Sequence, residues 1–114
     1  MPTNPVDQGK TAVKTDMCQV VHKYPLDEAR WFQDLIIFEW PEGAEILVCL
    51  TPKPGDVPVV YVRHDREGPL EKRFLAVVGT GEPLREDAGR YLGTYVLRGT
   101  SLVSHVFEVT GVDL

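Results

Sequence analysis

No apolar run in this chain reaches the roughly 18–20 residues that cross a bilayer as a helix, so no membrane partner is expected. No basic segment followed by an apolar one opens the sequence; a signal peptide is not expected, and the expected location is the cytoplasm. Basic excess is lacking too. Twelve Lys and Arg face 17 Asp and Glu, a net charge of −5, which argues against duplex nucleic acid as a partner. The carboxylates are scattered, as solvated surface charge is. Cysteine is scarce: Cys18 and Cys49 both sit in apolar surroundings and read as buried strand thiols. His22, His64 and His105 show no ligand spacing among themselves or with the cysteines, so neither a metal nor a cofactor is expected. No segment holds three turns of helical apolar spacing, and there is no internal repeat.

What is present is a series of short apolar runs broken by turn residues. Residues 1–15, with two prolines, a glycine and little apolar content, read as a disordered N-terminal arm, followed by a single β domain over 16–114. Strands are expected at 18–24, 35–40, 45–50, 59–64, 71–79, 90–97 and 101–109, whereas 27–34 reads equally as a helical turn or the start of a strand. Pro41 and Gly43 suit a turn that makes 35–40 and 45–50 a hairpin, and 59–64 is expected to pair with 71–79. His64, beside Asp65 at a turn, is expected to face solvent, and His22 would meet His105 if their strands paired. The fold class is all-β, a small antiparallel sandwich or partly open barrel of about seven strands.

Several strands are apolar on both faces: Leu35, Ile36, Ile37 and Phe38 run consecutively, as do Ile46 to Leu50. One two-sheet sandwich buries one face of each strand. A second copy of the chain is the simplest cover, so a homo-oligomer is expected.

The stretch Val77-Val78-Gly79-Thr80-Gly81-Glu82-Pro83-Leu84 leads from an apolar run into two glycines. The third glycine of a dinucleotide fingerprint is replaced by Leu84, and no Lys-Ser or Lys-Thr pair follows, so neither that fingerprint nor a P-loop is present. A bulge and turn is the plain reading; close backbone approach of a ligand is the functional one. Arg85 and Arg90 flank the loop, suited to phosphate, and Tyr91 follows, suited to stacking on a base. The candidate ligand residues are Gly79, Thr80, Gly81, Arg85, Arg90, Tyr91 and His105. No catalytic residue is assigned. Ser101 and Ser104 lack a nucleophile elbow, and Glu39 and Glu108 lack an acid–base partner at a telling spacing.

The segments "VHKYPL" (21–26), "PEGAEIL" (41–47), "FLAVVGTGEPL" (74–84), "GRYLGTYVL" (89–97) and "SHVFEV" (104–109) resemble, in order and spacing, a family of small phage and prophage proteins that carry a domain of unknown function. The likeness covers roughly residues 20–109. It implies a small phage-encoded protein in the cytoplasm of the host cell, with no assigned reaction. Small phage accessory proteins often counter bacterial defence, by sequestering a nucleotide signal or by blocking a host protein. The expected function is therefore non-enzymatic binding: sequestration of a small anionic ligand, a nucleotide immune signal, at a subunit junction. The alternatives are an inhibitor that covers a host defence protein through a sheet edge and an aromatic patch such as Trp31 and Trp40, and a minor virion structural protein.

Overall fold

The computed structural model describes residues 18–28, 30–97 and 99–112. The expected arm over 1–15 and the turn residue Arg98 lie outside the described residues. The elements are β1 (Gln19–Pro25), a 3-10 turn (Leu26–Glu28), β2 (Arg30–Phe32), β3 (Leu35–Pro41), β4 (Glu45–Leu50), β5 (Val59–Asp65), β6 (Leu70–Gly79), β7 (Ala88–Val96) and β8 (Val103–Val109). They form two antiparallel sheets, β1-β5-β4 and β2-β3-β6-β8-β7, that face each other without closing into a barrel. The all-β sandwich is thus the observed class, with eight strands. The additional strand is β2, from the stretch that read two ways. Gln33 and Asp34, at φ 50° and 66°, make a two-residue hairpin turn in which Phe32 pairs with Leu35. Both central residues are left-handed, a geometry normally marked by Asn-Gly or Asp-Gly, so Gln-Asp gives no such signal.

Two expected pairings are corrected. β3 and β4 are not a hairpin: β3 pairs with β2 and β6, and β4 pairs with β5. Likewise β5 and β6 lie in different sheets. The 41–44 turn, with Gly43 at φ 81° and the Glu42 amide bonded to the Pro69 carbonyl at 2.9 Å, carries the chain from one sheet to the other. The reason is burial. Ile36, Phe38 and Trp40 on β3 and Ile46 and Cys49 on β4 belong to one core. They meet when the strands face each other across the sandwich, not when they lie side by side. Leu26, Ala44, Val60, Val62, Leu75, Leu92 and Val106 complete that core, and Phe38 stacks on Trp40 at 4.8 Å.

The second apolar face of β3 is covered within the chain. Leu35, Ala76 and Val109 form a separate buried cluster, packed by Phe74 and Val112. β6 and β7 both run antiparallel to β8 and are therefore parallel to each other. Gly79 lies opposite Ser104 and Ala88 opposite Val109, so residues 80–87 must retrace the length of β8. They do so on the outward face of the large sheet, where Thr80 bonds His105 and where Pro83 and Leu84 wall a groove over Ala76 and Val78. On β4, Leu47 and Leu50 stay more than a third exposed.

The cysteines differ, which corrects the reading of two buried thiols: Cys49 is buried in the core and Cys18, just ahead of β1, is exposed. Burial pushes the Cys49 thiol up to about 11. At pH 8 about one Cys49 in a thousand is then thiolate, the reactive form. In a thiol titration of native protein with Ellman's reagent, one equivalent is expected to react promptly and the second only after denaturant is added. Two equally fast thiols would contradict this packing.

Candidate functional site

The twin-glycine stretch closes on itself. The Gly79 amide donates to the Glu82 carboxylate at 2.9 Å, and the Glu82 amide donates to the Gly79 carbonyl at 3.1 Å. Gly81 takes φ 88°, where L side chains are strained, and the Thr80 amide is bound to the Val103 carbonyl at 3.1 Å. A carboxylate of the chain itself thus holds the amide that a phosphate would use. This is a turn capped by its own acid.

Three of the candidate residues do meet. The Thr80 hydroxyl lies 2.8 Å from His105 Nε2, and the Thr94 hydroxyl lies 3.0 Å from His105 Nδ1 and bonds the Tyr91 hydroxyl. Tyr91 also leans edge-on against Phe107 at 5.6 Å. A polar strip of Thr80, His105, Thr94 and Tyr91 therefore runs across the outward face of β8 and β7. A neutral imidazole carries one N–H and one acceptor nitrogen. If Nδ1 is protonated, Thr80 donates to Nε2, Thr94 accepts from Nδ1–H, and one hydrogen of the Thr94–Tyr91 pair stays available to a ligand. If Nε2 is protonated, the order reverses and Thr80 keeps the free hydrogen. The His105 tautomer thus sets which end of the strip donates.

Sequence reading missed Thr94. In a regular strand, residues three apart lie on opposite faces, so Tyr91 and Thr94 should not touch. The pairing of β7 with β8 slips between Tyr91 and Gly93, and that bulge restores them to one face.

The arginines do not join the strip. Arg90 Nη1 donates to the Ile46 carbonyl at 2.7 Å, across to the other sheet. Arg85 forms a two-pronged pair with Asp87 at 2.8 and 2.9 Å. Its hydrogen bond holds the Asp87 carboxyl below the usual range, and Asp87 in turn raises Arg85. Both are exposed, so the pair adds little to stability.

The histidines also fall differently. β1 and β8 lie in different sheets, so His22 and His105 do not meet. His22 instead stacks on His64 at 5.6 Å. His64, expected at the surface, is buried: its Nδ1–H donates to the Asp65 carbonyl at 2.5 Å and its Nε2 accepts from the Tyr24 hydroxyl at 2.6 Å. That carbonyl can only accept, which fixes the tautomer. Burial raises the Tyr24 and Tyr95 phenols, so both remain protonated at neutral pH. Among the described residues no group of three or more His, Cys, Asp or Glu is placed to hold a metal. Glu108 is held by Arg73, Nε and Nη2 donating to one carboxylate oxygen at 2.7 and 2.6 Å.

The aromatic patch is half as expected. Trp40 is 1% exposed and belongs to the core, whereas Trp31 is 57% exposed on β2, beside Phe32 at 48%. Trp31 is a wall common to two grooves. One, about 310 Å³, lies over Ile37 between Arg30 and Lys72. The other, about 430 Å³, runs past Asp34 to Leu84 and Arg85. β2 is an end strand of its sheet, so one side of its backbone has no strand partner among the described residues. Among those residues no helix is long and apolar enough to cross a membrane.

Residues 17–113 match the sequence profile of a family described as Domain of unknown function (DUF7352). No curated protein and no solved structure matches the chain.

Proposed function

We propose that this chain, which belongs to the DUF7352 family, acts by binding: it is a phage-encoded protein that covers a host protein in the host cytoplasm, with Trp31 as its anchor. The observation that carries this reading is the exposure of Trp31 and Phe32 together at a sheet edge, with Trp31 shared by two grooves. The residues that dominate binding energy at protein interfaces are enriched in Trp, Tyr and Arg seated in well-packed pockets. An end strand adds backbone groups to which a partner's strand can bond.

The test is a Trp31→Ser/Phe32→Ser variant. It should melt close to the parent, because neither side chain belongs to either buried core, and should fail to retain the partner that the parent captures from host lysate. Fluorescence gives an independent measure. Acrylamide should quench Trp31 and spare Trp40, and the captured partner should shield the quenchable part. A variant that holds the same partner undiminished would end this reading.

A second reading, a sponge for a nucleotide signal, is favoured by one observation: Thr80, Tyr91 and His105 are joined in one exposed strip. Tyr91 would stack on the base, the strip would bond its edge, and Arg85 would exchange Asp87 for phosphate. A second copy of the chain would close the site. Cyclic and linear nucleotides should then raise the melting temperature, and His105→Ala should abolish the rise. No shift with any of them removes this reading.

A further inference from the structure

We propose that the groove over Ile37 recognises an extended segment of the partner protein in which one large apolar side chain is bracketed by two carboxylates. This rests on the reading of Trp31 as the anchor and gives the partner its chemistry. Arg30, Ile37 and Lys72 share the outward face of the large sheet. Arg30 lies opposite Ile37, and Lys72 lies opposite Glu39, two residues further along the same side of β3. Trp31 and Phe32 complete the groove, about 310 Å³ in volume.

The two cations of this groove are uncommitted. Arg63, Arg73 and Arg85 are held by Glu45, Glu108 and Asp87, and Arg90 by the Ile46 carbonyl. Neither the Arg30 guanidinium nor the Lys72 ammonium has an ion-pair or hydrogen-bond partner among the described residues, Glu39 included. An apolar guest group that enters the groove draws water off both cations, and a carboxylate set beside each offsets that loss. The register puts Lys72 two strands and two residues from Arg30, about 12 Å between backbones. Residues i and i+4 of an extended guest span about 13 Å and point to the same side. The guest thus carries carboxylates at i and i+4 and its apolar residue at i+2. A continuous acidic run is disfavoured, since Glu39 stands opposite Lys72 and Asp34 follows Phe32 by two residues. The net charge of −5 also disfavours an anionic bilayer or a nucleic acid, whose charge extends far beyond two cations.

The experiment uses the full chain and end-capped nonapeptides centred on Glu-Thr-Phe-Thr-Glu, on its Gln-flanked form and on its Lys-flanked form, with Ser and Gly outside. Trp31 fluorescence follows binding, since the peptides hold no tryptophan. The acidic peptide should bind saturably and about tenfold or more tightly than the Gln-flanked one, and the Lys-flanked one should not bind. An Arg30→Gln/Lys72→Gln variant should melt close to the parent and lose that preference. No saturable binding of the acidic peptide, equal affinity for the Gln-flanked one, a preference undiminished in the variant, or displacement of the peptide by phosphatidylserine vesicles or single-stranded DNA would each overturn the proposal. Capture of the host partner separates the two claims. If Trp31→Ser/Phe32→Ser loses it and Arg30→Gln/Lys72→Gln holds it undiminished, the anchor stands and the acidic occupant falls.

Discussion

Gly93→Ala is expected to lower the melting temperature by roughly 10–20 °C, the counterpart of about 3 kcal/mol in a domain of this size. A Cβ at this position would stand 1.9 Å from the Cys49 carbonyl oxygen and 2.9 Å from its carbon. Those are backbone atoms of β4 in the opposite sheet, so no side chain can swing away to make room. The seam itself must open, and Leu92 and Cys49, both buried next to the contact, would lose packing with it. The chain-entropy effect of glycine runs the other way, since alanine restricts the unfolded chain; a loss would therefore report the clash alone. Two other glycines calibrate the result. At Gly89 the added carbon meets the Glu108 carbonyl oxygen at 3.1 Å, which calls for a small shift of β7. At Gly79 it meets the end of the Glu82 side chain at 3.0 Å, which can move. The expected order of destabilisation is Gly93, then Gly89, then Gly79, the last within about 1 kcal/mol. A Gly93→Ala protein that melts with the parent would mean that β4 and β7 do not touch.

Arg73→Met is expected to cost about 3 kcal/mol, because it leaves Glu108 buried without its cation. Arg73 lies opposite Phe38 in the sheet and reaches Glu108 on β8, 2.6 Å away, while Nη1 donates to the Ala44 carbonyl at 2.8 Å. One guanidinium thus ties the inter-sheet turn at 41–44 to β8. The carboxylate is 8% exposed as a residue. Glu108→Gln should cost less, since an amide oxygen still accepts from Arg73 and Glu71, 3.6 Å from Nη1, remains to balance the guanidinium. Arg73→Met with Glu108→Leu should recover much of the loss, as apolar replacements of buried ion pairs commonly do. Denaturant unfolding of the parent, Arg73→Met, Glu108→Leu and the double variant gives the coupling. A double variant whose loss equals the sum of the singles would show that the two side chains act independently.

The strands were legible because their signals are local. β3, with Leu35 to Trp40 rich in branched and aromatic residues and Pro41-Glu42-Gly43 behind it, announces itself within seven residues. β2 did not, because its turn is built from Gln33 and Asp34 held at positive φ by the hairpin around them. Three of the candidate ligand residues, Thr80, Tyr91 and His105, are joined by hydrogen bonds through Thr94, whereas the sequence grouped Tyr91 with Arg90 and His105 with His22. The separation of Arg90 from Tyr91 follows from strand alternation, which places neighbours on opposite faces. Thr94 required knowledge of the bulge, and the occupation of the Gly79 amide by Glu82 required the turn itself.

By itself the sequence determined an all-β chain, its breaks, and a surplus of apolar strand faces, since each of these is written in a few consecutive residues. The tertiary structure alone decided which strands face each other and which lie side by side. It also decided that residues 80–87 cross the outward face and that Gly93 marks the place where two sheets meet. Those outcomes depend on contacts between residues tens of positions apart, where the gain from burying Ile36, Trp40, Ile46 and Val62 in one core outweighs the local preference for joining neighbouring strands in a hairpin.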